Sequence, residues 1–199
     1  MKNKFINLTI LLALSCGLSG CVGKSQLVSA DFSVSAPIES PTQEPVAVGR
    51  LEMLVPKGAK IGKMRTIFGI SGDILAGIPN ETVYRKIFYE ELKKAGYKVI
   101  EELSVFGRKD LEQARFIIGG EIREQSTNMF MYFVKHRMET SYRINWRVYD
   151  NREKKEIYVT ETSGAAKSPA ISAEAVAEGL RVNFQRLLSD PGFIESLKS

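Results

Sequence analysis

The chain has 199 residues, with 28 Lys and Arg against 23 Asp and Glu, and a formal net charge of +5 at pH 7. This excess is too small to indicate nucleic-acid binding. A single histidine, His136, and two cysteines are too few for a zinc site, and no Gly-x-Ser-x-Gly motif supports a catalytic triad. We therefore expect a non-enzymatic protein without a metal or other cofactor.

The N-terminus has the pattern of a secretory signal. Lys2 and Lys4 precede an apolar run from Phe5 to Leu14, which only Asn7 and Thr9 interrupt. A charged end followed by a short apolar region is typical of a signal peptide. The run is shorter than the roughly 20 apolar residues that span a bilayer. Residues 1–20 are therefore predicted to be a signal peptide.

The residues Leu18-Ser19-Gly20-Cys21 resemble the lipobox of bacterial lipoproteins. The resemblance implies cleavage before Cys21 and acylation of that cysteine, and several acyl chains on one residue give stable membrane anchoring. Cys16 fits less well, because its preceding bulky residue is one place too late. The alternative is an ordinary signal peptide with an unrelated cysteine. Val22, where an aspartate would favour the inner membrane, implies the inner leaflet of the outer membrane, facing the periplasm.

Residues 21–48 are predicted to be the acylated cysteine and a flexible tether. The segment is rich in Ser, Pro, Ala, Val and Gln, and Pro37, Pro41 and Pro45 disfavour a helix. The alternative is a segment that becomes ordered on a partner. Residues 49–199 are long enough for one core and are predicted to form a single domain.

Periodicity predicts the elements of this domain. The clearest is a strand over residues 137–149, where apolar and polar side chains alternate strictly. The others, in chain order, are strands over 49–55 and 65–70, a flexible glycine-containing stretch at 69–77, a helix over 80–95, strands over 97–100 and 115–124, a hairpin partner over 156–163, a helix over 172–188 and a closing turn at 193–197. This order predicts an α+β fold, with a mainly antiparallel sheet and two helices packed on one face.

Two stretches carry a family resemblance. Lys93-Lys94-Ala95-Gly96-Tyr97-Lys98-Val99 and Ala114-Arg115-Phe116-Ile117-Ile118-Gly119-Gly120-Glu121-Ile122, followed by a long hairpin and a C-terminal helix, resemble small envelope lipoproteins of the YajG kind. They are also similar, more loosely, to the N-terminal domain of TolB. The ending Leu187-Leu188-Ser189-Asp190-Pro191-Gly192-Phe193 resembles a module that precedes trypsin-like protease domains in some secreted bacterial proteins. The resemblance covers about residues 80–197, implies a fold and an envelope location, and transfers no site.

An apolar segment lies between two predicted strands, where a connection is normally polar. It comprises Met129, Phe130, Met131, Tyr132 and Phe133 and continues to residue 134. One interpretation is a strand that continues into the core. The other is an exposed apolar tip that binds lipid or a protein partner. The basic residues at 135–137 suit anionic head groups, and they also suit an ordinary hairpin end.

Arg143 and Arg147 lie on the predicted water-facing side of the long strand. They could dock acidic groups of a partner or glycan, or pair with Glu139 and a neighbouring strand. Together these features predict a membrane-anchored accessory lipoprotein that binds another envelope component. The alternative is a lipoprotein that binds a lipid or another amphiphile between sheet and helices during transport.

Overall fold

The computed structural model describes residues 42–77, 81–100, 109–133 and 135–198. Its elements in chain order are β1 (Val46–Met53), β2 (Lys60–Thr66), β3 (Ser71–Leu75), α1 (Glu81–Lys94), α2 (Lys109–Gln113), β4 (Phe116–Met131), β5 (His136–Asp150), β6 (Lys155–Ser168), α3 (Ala173–Leu188) and α4 (Pro191–Ser196). The predicted signal peptide, the lipidation of Cys21 and residues 22–41 of the predicted tether lie outside the described residues.

The strands form one sheet around β4. The order is β3-β2-β4-β5-β6, and β1 also pairs with β4. β1 runs parallel to the first half of β4, with Val46 opposite Phe116, whereas β2 runs parallel to its end, with Met64 opposite Met129. The pairs β2–β3, β4–β5 and β5–β6 are antiparallel. The predicted α+β fold with a mainly antiparallel sheet is confirmed.

The core lies between one face of the sheet and the helices α1 and α3. Phe88 of α1, Trp146 of β5 and Phe184 of α3 are fully buried, with ring centroids 4.7 to 5.4 Å apart. Ser172 caps α3, because its side chain accepts a hydrogen bond from the backbone N–H of Ala175. Burying a large apolar side chain contributes about 1.5–3 kcal/mol, so this aromatic cluster fixes both helices on the same face.

The folded region begins earlier than the sequence predicted. Val46 and Ala47 of β1 are completely buried, and the Glu44 carboxylate lies 3.0 Å from Arg115 Nη1 and 3.3 Å from Arg152 Nη2. The predicted end of the tether at residue 48 is therefore wrong. The cause is local, since the Pro45 carbonyl accepts a hydrogen bond from the N–H of Arg115 and a proline is tolerated at the start of a strand.

Three predicted elements differ from the structure. Residues 60–75 form the hairpin β2–β3 with a turn at 67–70, in place of a strand over 65–70 and a flexible stretch. Residues 97–100 contribute an isolated bridge between Val46 and Val99. β4 continues to Met131, because its pairing with β5 resumes after a bulge at Arg123.

Asp150 is expected to make the free energy of unfolding depend on pH in the acidic range. Burial alone would raise the pKa of its carboxyl, but hydrogen bonds from the N–H groups of Arg152 and Glu153, with Arg115 3.5 Å away, hold it below the ordinary 3.8. The charged Asp150 carboxylate therefore stabilises the fold fully at pH values above its ordinary pKa. This stabilisation is lost as the pH falls through the lowered pKa of the folded state. Asp150→Asn is expected to lower the free energy of unfolding at pH 7, with the gap from the native chain closing toward pH 2.

Urea unfolding between pH 7 and pH 2 measures this difference. Asp73→Asn is the matched control, because Asp73 forms a half-exposed ion pair with Lys60 and such pairs contribute about 0–1 kcal/mol. An Asp150→Asn deficit that stays constant across this range would show that the Asp150 charge does not stabilise the fold.

Candidate functional site: an apolar tip at one end of the sheet

Two turns meet at one end of the sheet. The β2–β3 turn carries Phe68 and the β4–β5 turn carries Phe133, and their rings pack edge to face with centroids 5.4 Å apart. The backbone N–H of Ile67 donates to the carbonyl oxygen of Met131 at 3.1 Å, which extends the β2–β4 pairing into the turn. The two hairpins therefore end as one structure.

Local sequence explains how each turn forms. Gly69 has a φ of 75°, a left-handed conformation that glycine adopts without strain. The N–H and hydroxyl of Thr66 both donate to the Ile70 carbonyl, at 2.9 and 3.2 Å, and close the β2–β3 turn. In the β4–β5 turn, the Tyr132 N–H donates to the Lys135 carbonyl at 3.1 Å. Both turns are thus held by the backbone, which leaves their apolar side chains free to face outward.

The apolar side chains of the two turns are exposed. Phe68 and Phe133 are each 73% exposed and Ile70 is 63% exposed. We define the hairpin tip as the six exposed apolar residues of these turns: Ile67, Phe68, Ile70, Met131, Tyr132 and Phe133. A cluster of exposed large apolar side chains marks an interaction site in a folded protein.

The sequence identified half of the hairpin tip. Met131, Tyr132 and Phe133 belong to it, whereas Met129 and Phe130 are half-buried, and the Arg137 guanidinium lies 4.5 Å above the Phe130 ring. The other half, in the β2–β3 turn, was missed. The sequence Ile67-Phe68-Gly69-Ile70 is also an apolar connection between two strands, so the same type of signal is present there. The incorrectly predicted strand over 65–70 concealed it.

The surroundings of the hairpin tip are basic. Residues 60–75 and 128–139 contain five basic and two acidic side chains, a net charge of +3. Asp73 lies 2.7 Å from Lys60, and Glu139 lies 3.3 Å from Arg137 and 3.5 Å from Lys167. Among the residues that the structure describes, no carboxylate forms an ion pair with the three exposed cations Lys63, Arg65 and Lys135. The tip is therefore an apolar surface with an uncompensated positive rim.

The hairpin tip lies far from the start of the folded chain. Val46 pairs with Phe116 at the beginning of β4, and Met131 ends the same strand. At about 3.3 Å per residue the two ends of β4 are roughly 50 Å apart. The chain thus joins the folded region at one end of the sheet and presents the apolar tip at the other.

Arg143 and Arg147 lie away from the hairpin tip, on the open face of the sheet. Arg143 lies 3.1 Å from Glu124 and 3.7 Å from Glu161. Arg147 lies 3.0 Å from Glu156 and 3.9 Å from Glu121. Both guanidiniums are therefore paired with neighbouring strands, and their use as a docking surface stays a prediction.

A cavity of about 280 Å³ lies beside the middle of the β4–β6 sheet. Its lining mixes polar side chains such as Gln125, Ser141 and Arg186 with Tyr142 and Ala165. At Trp146 the space between sheet and helices is filled by the aromatic cluster. Neither feature is an enclosed apolar pocket, and binding of an amphiphile between sheet and helices stays a prediction.

The described ranges also bear on metal binding and membrane spanning. Within them, no group of three or more His, Cys, Asp and Glu side chains could hold a metal ion. No helix among those described is long and apolar enough to cross a membrane. His136 is exposed beside the hairpin tip.

The exposure of the hairpin tip leads to a prediction about stability. Phe133→Ser is expected to lower the free energy of unfolding by at most about 1 kcal/mol, since it removes one edge-to-face ring contact and little buried area. Phe184→Ala, in the core, is expected to cost about 3–5 kcal/mol. Urea denaturation of both variants measures the two values. A Phe133→Ser cost equal to that of Phe184→Ala would mean that Phe133 is a core residue.

No protein-family model and no curated protein matches this chain. Among solved structures, protein XCC0632 from Xanthomonas campestris is similar with a TM-score of 0.47 and 10% identity, over 82% of this chain and 90% of that one. Protein CT253 from Chlamydia trachomatis has a TM-score of 0.42 and 16% identity, over 73% and 91%. Lipoprotein GNA1162 from Neisseria meningitidis has a TM-score of 0.34 and 12% identity, over 66% and 88%. Similarity at this level transfers no function.

Proposed function

We propose that this chain is a lipid-anchored, non-enzymatic accessory protein of the bacterial cell envelope, whose hairpin tip binds another envelope component. The observation that carries the proposal is the exposed apolar tip formed by two hairpins at the far end of the sheet. Large apolar side chains held by backbone-bonded turns in water are a cost to a free protein, which a binding partner removes.

The position of the hairpin tip supports the anchoring part of the proposal. An acylated Cys21 would hold the N-terminal side of the chain at a membrane, and the chain joins the sheet at Val46. Because the tip lies roughly 50 Å along β4 from that point, it would face away from the place where the tether joins. This arrangement suits a protein that connects its own membrane with a second component.

Two labelling experiments on the full chain in bacterial cells test the proposal. Incorporation of a labelled fatty acid is expected in the native chain and in Cys16→Ser, and is expected to be lost in Cys21→Ser. A photoreactive phenylalanine analogue at position 133 is expected to form adducts with an envelope component, whether lipid or protein. Labelling that survives Cys21→Ser would overturn the anchor, and the absence of any adduct at position 133 would overturn the docking role.

A further inference from the structure

We infer that the component bound by the hairpin tip is an anionic phospholipid surface, into which the six apolar side chains insert while the basic rim contacts the head groups. This inference rests on the proposed docking role and names its occupant. It would give the protein a second membrane contact, independent of the acyl anchor.

The charge around the hairpin tip is the first argument. Lys63, Arg65 and Lys135 are exposed and, in the described part of the chain, have no carboxylate partner. Elsewhere on the sheet exposed arginines are paired, as Arg143 is with Glu124 and Glu161. An excess of cations directly beside an apolar surface suits a surface that carries negative charge above an apolar layer, and an anionic bilayer has that arrangement.

The composition of the hairpin tip is the second argument. Its exposed side chains are large and aliphatic or aromatic, and one of them, Tyr132, carries a polar group at its end. Aromatic rings and a tyrosine hydroxyl favour the boundary between acyl chains and head groups. Hydrogen bonds within each turn, from the N–H of Thr66 to the Ile70 carbonyl and from the N–H of Tyr132 to the Lys135 carbonyl, lower the cost of removing the tip from water.

Photocrosslinking in cells tests the inference on the full chain. With a photoreactive residue at position 133, the expected adduct is an anionic phospholipid. The variant Lys63→Gln/Arg65→Gln/Lys135→Gln loses three cations and is expected to weaken partitioning on the order of 100-fold, which would remove most of the lipid adduct. The matched control Lys57→Gln/Lys86→Gln/Lys98→Gln removes the same charge from exposed positions outside the tip segments and is expected to leave the adduct unchanged.

A second control separates insertion from mere proximity to a membrane. Val159 is an exposed apolar side chain on β6 that pairs with Arg147, near the end of the sheet where the chain enters, so the anchor alone would bring it at least as close to a membrane as position 133. Few lipid adducts are expected at position 159. Equal lipid labelling at positions 133 and 159, or lipid labelling at 133 that survives the loss of the three tip cations, would overturn the inference.

The class of adduct distinguishes this inference from the proposed function. A discrete protein adduct at position 133 would overturn the phospholipid surface and leave the docking role standing, with a protein as the occupant. No adduct of either kind would overturn both.

Discussion

Gly62→Ala is expected to separate the β2–β3 hairpin from β4 and to dismantle the hairpin tip. A Cβ atom at position 62 would lie 1.7 Å from the carbonyl oxygen of Thr127, a backbone atom that cannot move aside without shifting β4. β4 is held along its other edge by β5, so β2 must move instead. The pairing of Met64 with Met129 and the contact between Phe68 and Phe133 would then be lost.

The expected loss is local. Overpacking costs about 1–3 kcal/mol, and here it acts on an edge hairpin that does not contribute to the aromatic core. Hydrogen exchange of the β2 and β3 amides is therefore expected to accelerate by about 10- to 100-fold, with β5 and β6 unchanged. If the tip binds an envelope component, crosslinking from position 68 should fall in the same variant.

Gly72→Ala is the matched control within the same hairpin. A Cβ atom at position 72 has the Met64 methyl at 3.7 Å as its nearest neighbour, an ordinary van der Waals contact. This variant is expected to be within about 0.5 kcal/mol of the native chain, as surface substitutions usually are. Unchanged exchange of β2 in Gly62→Ala, or equal acceleration in both variants, would show that close packing at Gly62 does not hold the hairpin.

Elements with a strong period were predictable because one face of each is buried. In β5 alternate residues from Met138 to Val148 point into the core, and in α3 Leu180, Phe184 and Leu187 recur at helical spacing. The prediction failed at residues 60–75, where glycines interrupt the alternation. A glycine is needed at position 62 because the backbone of Thr127 in β4 approaches it closely. This contact between distant parts of the chain produces no periodic pattern in the local sequence.

The candidate site shows the same division between local and tertiary information. An apolar connection at 129–134 is visible in the sequence, and Met131, Tyr132 and Phe133 within it are exposed in the structure. Its contact with Phe68 joins residues 65 positions apart through the parallel pairing of β2 with β4. Parallel pairing needs a long crossover and leaves no short-range signal, so the sequence alone could not show that the two apolar turns meet.

Asn183→Ala is expected to destabilise the whole domain. The Asn183 side chain is fully buried, and its Nδ2 donates to the carbonyl oxygens of Tyr142 and Thr162 at 3.0 and 3.1 Å. Its Oδ1 accepts from the Thr162 hydroxyl at 2.5 Å and from Trp146 Nε1 at 3.3 Å. One side chain of α3 thus binds β5 and β6 together, with every polar atom satisfied.

Removal of the Asn183 side-chain amide would leave the carbonyl groups of Tyr142 on β5 and Thr162 on β6 without this donor. Each buried polar group that loses its partner costs about 1–3 kcal/mol, so a loss of roughly 3–5 kcal/mol in the free energy of unfolding is expected. Trp146 Nε1 keeps its hydrogen bond to the Thr162 hydroxyl at 2.7 Å, so the indole N–H does not lose its partner. Urea denaturation measures the loss, and Asn145→Ala, at a half-buried position on β5, is expected to cost less than about 1 kcal/mol.

Asn183→Ala and Gly62→Ala should differ in how many elements show faster hydrogen exchange, as well as in the free energy lost. Asn183 joins a helix to β5 and to the edge strand β6, so its loss should accelerate exchange throughout β5, β6 and α3. Gly62 joins only the edge hairpin to β4, so its loss should spare those elements. If Asn183→Ala also changed exchange only locally, the helix would not be a cooperative part of the domain. The rigid support that holds the hairpin tip roughly 50 Å from the entry of the chain would then have to come from the sheet alone.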